Sequence, residues 1–418
     1  MIFTSTMAAD ILYWSLIEWV YYYQANPMGA VALSATDHQK IASSYTLFHW
    51  GPIPWSFYIL PAAAYAYMFF VKGRQRQTIS EACRPFLKNK VDGFYGKLID
   101  IVVVVGLLGG TATTFALATP LIAASVNKVL GIAIGKELTI MILLFTGILF
   151  TVAVLFGMKA IAKLAVCCVV LFVILIGFVF VFGPTKFIIE SGVSGIGTMV
   201  QNFISMATWT DPLRITGEGG DIGFPQQWTI FYWAYWIAWF VATPFFIAKI
   251  SEGRTIRQLI GGAFFYGLSG TFTSFIVFGN FGLYQQVSGK VDATGMLEDG
   301  FTPSNIILEL LAELPFNNFL LILLVLTMIA FYASTFDAIT LVVCGFCKKQ
   351  LYNNEYHDKW LRIFWALVFI ILPIALIWSE STLNMLQTVS ILVAFPLGII
   401  MIIIVCGFIK ELKIDLKK

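Results

Sequence analysis

Ten apolar segments of this chain are each long enough to cross a membrane as a helix, and they leave little sequence for anything else. A helix needs about 20 apolar residues to span a hydrocarbon core of roughly 30 Å. Charged residues make up only 12% of the 418 residues, whereas soluble domains average about 25%. We therefore expect an all-α integral membrane protein whose surface is mostly covered by lipid. The segments are about 2–24, 46–71, 98–126, 138–157, 164–185, 227–249, 258–285, 315–346, 361–379 and 385–409.

Lys and Arg residues are distributed unevenly among the connecting segments. When 73–97 is placed inside, the inner segments hold 20 of these residues and the outer segments hold 6. Positively charged loops stay in the cytoplasm, so we expect both termini to be cytoplasmic. No linker or change of composition separates the apolar segments, which predicts a single transmembrane domain over 1–418.

The two longest outer connections are predicted at 186–226 and 286–314. Within them, 195–207 and 303–313 have helical periodicity but are too short to span a bilayer. We expect both to be helices that lie over the outer face. None of the six cysteines falls in a predicted outer segment, which argues against a disulfide framework.

A dense aromatic run lies in the sixth apolar segment. Residues 228–239 (WTIFYWAYWIAW) contain four of the twelve tryptophans of the chain. Tyr235, Trp236 and Trp239 are spaced i, i+1 and i+4, which predicts that they share one helix face.

A second aromatic cluster lies at 49–58 (HWGPIPWSFY) in the second segment. Pro52 and Pro54 interrupt the helix there, and an interrupted backbone at membrane depth must be buried in protein or face a water-filled cavity. Facing Trp and Tyr rings attract a cation that has no donor hydrogens, such as a quaternary ammonium group. The alternative is that these rings form an interfacial belt and fill the core, as most membrane tryptophans do.

Several of these stretches resemble the betaine/choline/carnitine transporter family. The resemblance covers essentially the whole chain, and the tryptophan run with its basic tail is its most specific part. The similar stretches are Leu12–Trp19, Phe48–Tyr58, Gly109–Thr114, Trp228–Trp239 and Ile247–Arg257.

The resemblance implies a leucine-transporter-like core of two inverted five-helix repeats, which would correspond to 1–185 and 227–409. Family members have twelve transmembrane helices. Since ten are predicted here, we expect the chain to lack the family's first two helices. The resemblance also implies a homotrimer in the inner (plasma) membrane.

The resemblance implies that the aromatic cage of the family is formed here by residues on two helices. Tyr235 stands where the family usually has Trp, which keeps an aromatic face. Trp228 matches a position that the family uses nearer the outer mouth. The cage positions are Trp50, Trp55, Tyr58, Tyr235, Trp236 and Trp239.

Ionisable residues inside apolar segments are costly, and they are candidates for function. Asp10 lies where the family's first core helix unwinds, and a carboxylate facing the pocket would favour a cation such as choline over a zwitterion. The alternative is that Asp10 caps the broken helix or pairs with a buried lysine. Glu18 is predicted to be structural, His49 to be a hydrogen-bonding residue, and Asp337 to form a hydrogen bond between helices.

Adjacent hydroxyl groups in 331–335 (FYAST) are candidates for binding a coupling ion. The resemblance implies that Phe331, Ser334 and Thr335 belong to a sodium site. The backbone oxygens of Thr4 and Met7 would complete it. The alternative role of Ser334 and Thr335 is helix packing through small residues.

Cys168 bears on the mode of coupling. Sodium-independent exchangers in the family lose the hydroxyls and place an arginine nearby, whereas this chain has Cys168 at the matching position. A second sodium site of the family is not expected, because only Thr111 matches, while Leu107 and Ala242 replace the other ligands.

The sequence therefore predicts a secondary active transporter of quaternary ammonium compounds such as choline, glycine betaine or carnitine, with sodium coupling favoured. A sodium-independent exchanger and a membrane protein that binds such compounds without moving them remain alternatives. The sequence contains no P-loop, HExxH or GxSxG motif, so neither an enzyme nor a nucleic-acid partner is expected, and no cofactor is expected besides a coupling ion.

Overall fold

The computed structural model describes residues 7–27, 29, 33–74, 76–156, 158–216, 222–347 and 359–417. Within these ranges the chain forms α-helices with short π and 3₁₀ segments and no β-strands. The helices in the first half are α1 (Ala8–Gln24), α2 (Ala35–His49), α3 (Pro52–Ala66), α4 (Ile79–Ala82), α5 (Arg84–Leu87), α6 (Phe94–Leu130), α7 (Lys136–Phe156), α8 (Met158–Phe182) and α9 (Thr185–Thr208).

The second half of the chain is built in the same way. Its helices are α10 (Ile230–Ala238), α11 (Ala242–Ile250), α12 (Ile256–Ser274), α13 (Asn280–Val287), α14 (Ala293–Glu298), α15 (Pro303–Ala312), α16 (Asn317–Cys347), α17 (Lys359–Trp378) and α18 (Leu383–Asp415). Short π-helical segments lie at Tyr67–Val71, Pro225–Thr229 and Phe275–Gly279.

Seven helical stretches among the described residues are long and apolar enough to cross a membrane. A bent pair, Pro225–Ala238 followed by Ala242–Ile250, brings the number to eight. These eight coincide with the last eight of the ten predicted apolar segments. The first two predicted segments contain α1 and α3, which have 17 and 15 residues. The predicted surface segments are helical as well: 195–207 lies inside α9, and 303–313 contains α15.

Side-chain caps determine where several helices begin. Ser34 and Asp37 form a capping box at the start of α2, and Thr255 and Gln258 form another at the start of α12. In each box the cap hydroxyl accepts from a backbone N–H of the first turn, and the later side chain accepts from the backbone of the cap. Thr382 caps α18 through its hydroxyl.

The helix break predicted from Pro52 and Pro54 is confirmed. The α2 helix ends at His49, and α3 begins at Pro52 after the connecting residues Trp50 and Gly51. A Cβ atom at residue 51 would lie 2.5 Å from the carbonyl oxygen of Leu47, so the backbone can turn this sharply only with glycine at that position.

A second break, which the sequence analysis did not predict, divides the aromatic run. The chain bends by 54° between Pro225–Ala238 and Ala242–Ile250. Trp239, Phe240 and Val241 form the turn, and all three side chains are buried. Because the irregular backbone is covered by protein, its polar groups are kept away from lipid.

The long helix α6 lies at the centre of the packing and contacts α7, α16, α17 and α18. Two glycines allow α18 to approach it closely. A Cβ atom at Gly106 would lie 2.5 Å from Leu397 Cδ1, and one at Gly109 would lie 2.8 Å from Val393 Cγ1. Small residues at such crossings let helix backbones come close enough for dense van der Waals packing.

An ionic network joins the segment before α6 to the end of α18. Arg74 forms an ion pair with Glu411, and Lys72 Nζ lies 2.5 Å from Asp415 Oδ2. Arg84 donates to both Glu81 and Asp92, and its guanidinium holds the pKa of Asp92 below the ordinary value. The network thus brings charged residues of two predicted inner segments, the one before α6 and the one at the C-terminal end, into contact.

Replacing Gly106 by Ala is expected to lower the stability of the fold. The added methyl group overlaps Leu397, a buried side chain, and such overpacking typically costs about 1–3 kcal/mol. Thermal unfolding of the purified protein in detergent measures the effect. Gly177→Ala is the control, since its Cβ would meet no atom within 4 Å. Equal midpoints for the two variants would contradict the packing argument.

Candidate functional site

Four aromatic side chains predicted for the cage contact one another around Trp236. The ring centroid of Trp236 lies 5.4 Å from that of Trp50, 5.4 Å from that of Trp55 and 4.9 Å from that of Tyr58. All four side chains are at least 98% buried. The helix break before α3 and the helix α10 therefore bring together residues that are separated by about 180 positions in the sequence. We call Trp50, Trp55, Tyr58 and Trp236 the ring cluster.

Neighbouring residues hold the rings of the cluster in place. Trp50 Nε1 donates to Glu18 Oε2 over 2.6 Å, and the ring of Trp50 also contacts Phe275 of the π-helical segment Phe275–Gly279. Trp55 packs against Gly267 of α12, where a Cβ atom would lie 2.8 Å from three carbons of the indole ring. The orientation of both indoles is therefore set by contacts with α1 and with the α12 region.

Asp10 and Tyr235 form a separate polar cluster beside the rings. Tyr235 donates a hydrogen bond to Asp10 Oδ1, and Thr114 Oγ1 lies 3.1 Å from Asp10 Oδ2 and 2.9 Å from the Tyr235 hydroxyl. All three residues are buried. Asp10 thus joins α1 to α6 and α10, and the described residues bring no lysine or arginine within ion-pair distance of it.

The structure divides the predicted cage residues among different surroundings. Tyr235 faces Asp10 and Phe231 rather than the ring cluster. Trp228 packs with Trp14, Tyr21 and Tyr22, in a second group of rings at the start of the aromatic run.

Trp239 lies in the bend after α10 and is fully buried. Its indole N–H, like that of Trp236, has no hydrogen-bond partner among the described residues. A buried donor without an acceptor is costly. These two N–H groups are therefore available to a polar group that enters the region.

The predicted ion-binding residues lie on α16, which packs against α1 and α8. Thr335 is buried and Ser334 is half-buried. Phe331 contacts Phe172 of α8. On α1, the carbonyl oxygen of Met7 accepts from the backbone of Ile11. Thr4, the remaining predicted ligand, lies outside the described residues.

Three further residues that the sequence analysis singled out make contacts near these helices. Cys168 Sγ lies 3.1 Å from the carbonyl oxygen of Ala330 on α16. Thr111 donates to carbonyl groups of its own helix. Asp337 forms an ion pair with Arg362 of α17, so its predicted bond between helices is confirmed.

Sequence reasoning missed the side chains that support the rings. Thr114 was visible only as part of the Gly109–Thr114 stretch, and nothing in the sequence indicated that it would reach Asp10. Glu18 was assigned a structural role, and the structure gives it a specific one as acceptor for Trp50. Gly267 leaves room for the indole ring of Trp55, and no local sequence pattern indicates this because it depends on where Trp55 lies in the fold.

The fold is that of a multi-pass, all-α membrane protein with a buried aromatic site. Residues 1–417 match the family model described as "BCCT, betaine/carnitine/choline family transporter". The chain belongs to this family, whose members are transporters of the cell inner membrane rather than enzymes.

Two relatives illustrate the similarity. The carnitine transporter of Acinetobacter baumannii is 29% identical over 423 residues, which cover 100% of this chain and 75% of that protein. The "Uncharacterized transporter YeaV" of Escherichia coli is 27% identical over 413 residues, which cover 98% of this chain and 84% of that protein.

Replacing Tyr235 by Phe is expected to destabilise the protein, because the buried carboxylate of Asp10 loses one of its two hydrogen-bond donors. Leaving a buried polar group short of a partner costs about 1–3 kcal/mol. Thermal unfolding measures the loss. Tyr65→Phe is a matched control, because the Tyr65 hydroxyl is also buried but has no hydrogen-bond partner among the described residues. Equal effects of both substitutions would show that the bond to Asp10 contributes nothing.

Proposed function

We propose that the protein is a sodium-coupled secondary active transporter of quaternary ammonium compounds, and that the ring cluster binds the trimethylammonium head. The observation that carries the proposal is the convergence of Trp50, Trp55 and Tyr58 on the ring of Trp236. The family supports the substrate class, since its description names betaine, carnitine and choline. The Acinetobacter baumannii relative is named a carnitine transporter, which supports the same substrate class.

The physical basis is the attraction between a cation and the faces of aromatic rings. A trimethylammonium group has no N–H donors, so hydrogen bonds cannot hold it, and it loses less hydration than an ammonium ion when it enters an apolar site. Each desolvated ring contributes about 2 kcal/mol or more. The cluster has three indoles and one phenol with no charged side chain among them, which suits this kind of guest.

Binding and transport require the rings to move apart. With centroids 4.9–5.4 Å from Trp236, the four rings are in direct contact, so the head group enters only when Trp236 separates from its neighbours. The bend at Trp239 ends α10 one turn after Trp236 and gives this helix a place to pivot. We propose that 1–185 and 227–409 act as the two repeats that move against each other around this point.

Replacing Trp236 by Leu is expected to weaken substrate binding by roughly 5- to 30-fold, because about 1–2 kcal/mol of cation–π attraction is lost. Trp236→Phe should bind better than Trp236→Leu, since it keeps an aromatic face. Binding of choline, betaine and carnitine to the purified protein measures the effect.

Trp378→Leu is the control for these variants. Trp378 is an exposed tryptophan at the end of α17, away from the ring cluster, and its replacement should leave affinity unchanged. If Trp236→Leu binds the substrate as well as the parent protein does, the ring cluster serves packing and not binding. If the parent protein binds none of the three compounds, the proposed substrate class is refuted.

Asp10 is proposed to complement the positive charge of the substrate. Its carboxylate is buried next to Tyr235, one residue from Trp236. The described residues place no lysine or arginine against it that would cancel its field. A carboxylate in this place favours choline over betaine or carnitine, whose own carboxylates it would repel.

The coupling ion is proposed to bind between α16 and the start of α1, at Ser334, Thr335 and Phe331 on one side and at Met7 and Thr4 on the other. What supports this is that α16 packs against α1 and that neutral oxygens are suitable ligands for a hard monovalent cation. Sodium-independent exchangers of the family place an arginine near this site. At the matching position this chain has Cys168, whose Sγ contacts the carbonyl oxygen of Ala330.

Replacing Ser334 or Thr335 by Ala is expected to raise the sodium concentration that gives half-maximal uptake, with a smaller effect on substrate affinity at saturating sodium. Uptake into proteoliposomes at varied sodium concentrations measures this. Thr340→Ala is the control on the same helix, because its hydroxyl donates to the carbonyl oxygen of Phe336.

The outcome separates the remaining alternatives. The reciprocity of linked equilibria requires sodium to tighten substrate binding in the parent protein. Uptake that is indifferent to sodium, together with counter-flow of substrate, would replace symport by sodium-independent exchange. Binding without flux in either direction would identify a substrate-binding membrane protein that does not transport.

A further inference from the structure

Glu18 and His49 form a pair of titratable groups that the ring cluster does not explain. Both side chains are fully buried. Glu18 Oε2 accepts from Trp50 Nε1 over 2.6 Å. The other oxygen, Oε1, lies 3.6 Å from His49 Nδ1, and the hydroxyl groups of Tyr22 and Tyr232 also interact with the carboxyl group.

The surroundings of His49 allow its ring to gain or lose a proton. Nδ1 lies 2.8 Å from the Tyr22 hydroxyl, and Nε2 lies 3.0 Å from Thr229 Oγ1. A hydroxyl group can donate to a bare ring nitrogen or accept from a protonated one. Both contacts therefore persist in the neutral and in the charged form of the imidazole.

The elements packed around the pair bring no fixed charge against it. The titratable side chains that face it are tyrosines: Tyr22 on α1, Tyr45 on α2 and Tyr232 on α10, whose ring stacks on His49 at 4.9 Å. The segment Phe275–Gly279 contributes only apolar side chains. On α9, Lys186 and Glu190 are exposed. Among the described residues, His49 is the one potential cation within 4.0 Å of the Glu18 carboxylate.

Charge balance determines how many protons the pair holds. One proton makes it neutral, either as a carboxylic acid beside a neutral imidazole or as a carboxylate beside an imidazolium. A net charge buried among apolar rings is costly. The pair therefore keeps one proton as long as no other charge enters its surroundings.

We propose that Glu18 and His49 are a proton-binding site and that the quaternary ammonium head displaces their proton to solvent when it binds at Trp50. With the cation at Trp50 and the proton released, the negative pair and the positive head balance each other, while Asp10 keeps its separate hydrogen bonds to Tyr235 and Thr114. Trp50 makes the link, since its indole N–H contacts Glu18 while its ring contacts Trp236. This inference rests on the proposed function, because it places the head group in the ring cluster.

Competition between the proton and the cation makes affinity depend on pH. Since binding releases a proton, raising the pH favours binding of the cation. By the same linkage, binding of the cation weakens the binding of the proton to the pair. One released proton gives at most about a tenfold gain in affinity for each pH unit. Choline should show the larger effect, because carnitine brings a carboxylate that already balances its head group.

The test is isothermal titration calorimetry of the full chain in detergent with choline and with carnitine, between about pH 5 and pH 9. Buffers with different ionisation enthalpies give the number of protons released. We expect release approaching one proton for choline and an affinity that rises with pH. In Glu18→Gln, which keeps an acceptor for Trp50, both effects should disappear while binding persists. Glu309→Gln, an exposed partner of Lys128, should behave like the parent.

A measurement without ligand makes the proton site testable by itself. Infrared difference spectra of the ligand-free protein, parent minus Glu18→Gln, should show the band of a protonated carboxyl group or of an imidazolium, because the pair holds one proton in the parent. If Glu18→Gln does not fold, the proton release and the pH dependence of choline binding in the parent protein still test the inference.

The outcomes separate this inference from the proposed function. Choline or carnitine binding that is independent of pH, or proton release that survives in Glu18→Gln, would overturn the proton site and leave the transporter proposal standing. Absence of binding by either compound would refute the proposed function, and the infrared spectra would then decide the proton site.

Discussion

The structure depends on one constraint, which is that a helix broken at membrane depth must have its irregular backbone covered by protein. Two breaks of this kind occur, at Trp50–Gly51 between α2 and α3 and at Trp239–Val241 between α10 and α11. Both carry large aromatic residues, and both are buried. The rings cover the broken backbone and at the same time form the candidate site, so the same side chains serve both the packing and the proposed binding.

Helix α1 supports this arrangement through two buried carboxylates about two turns apart. Asp10 accepts a hydrogen bond from Tyr235 on α10, and Glu18 accepts one from Trp50 in the break before α3. Each acid therefore contacts an aromatic residue that is adjacent to Trp236, in the sequence or in space. A buried carboxylate is costly without donors. The hydrogen bonds from Trp50 and Tyr235 therefore help to orient these two rings.

Membership of the BCCT family gives this geometry its biochemical meaning. Transport needs a site that closes around its substrate and then opens to the other side. Rings in direct contact, a bend directly after Trp236 and close glycine crossings between α6 and α18 form a compact core around a potential pivot. The polar network that ties Arg74 to Glu411 lies away from the ring cluster and joins elements that are distant in the sequence.

The sequence by itself determined the class of the fold and the residues at its centre. Long apolar segments and the scarcity of charge leave no alternative to membrane helices, and Pro52 and Pro54 marked the break before α3. Helix spacing predicted that Tyr235 and Trp236 share one face, but in the tertiary structure Tyr235 faces Asp10 whereas Trp236 faces Trp50, Trp55 and Tyr58. Tertiary contacts likewise decided three other features: the bend at Trp239, the hydrogen bond from Trp50 to Glu18, and the packing of Gly267 against Trp55. The reason is that periodicity reports the direction of a side chain relative to its own helix, whereas the partner it meets depends on how distant helices cross.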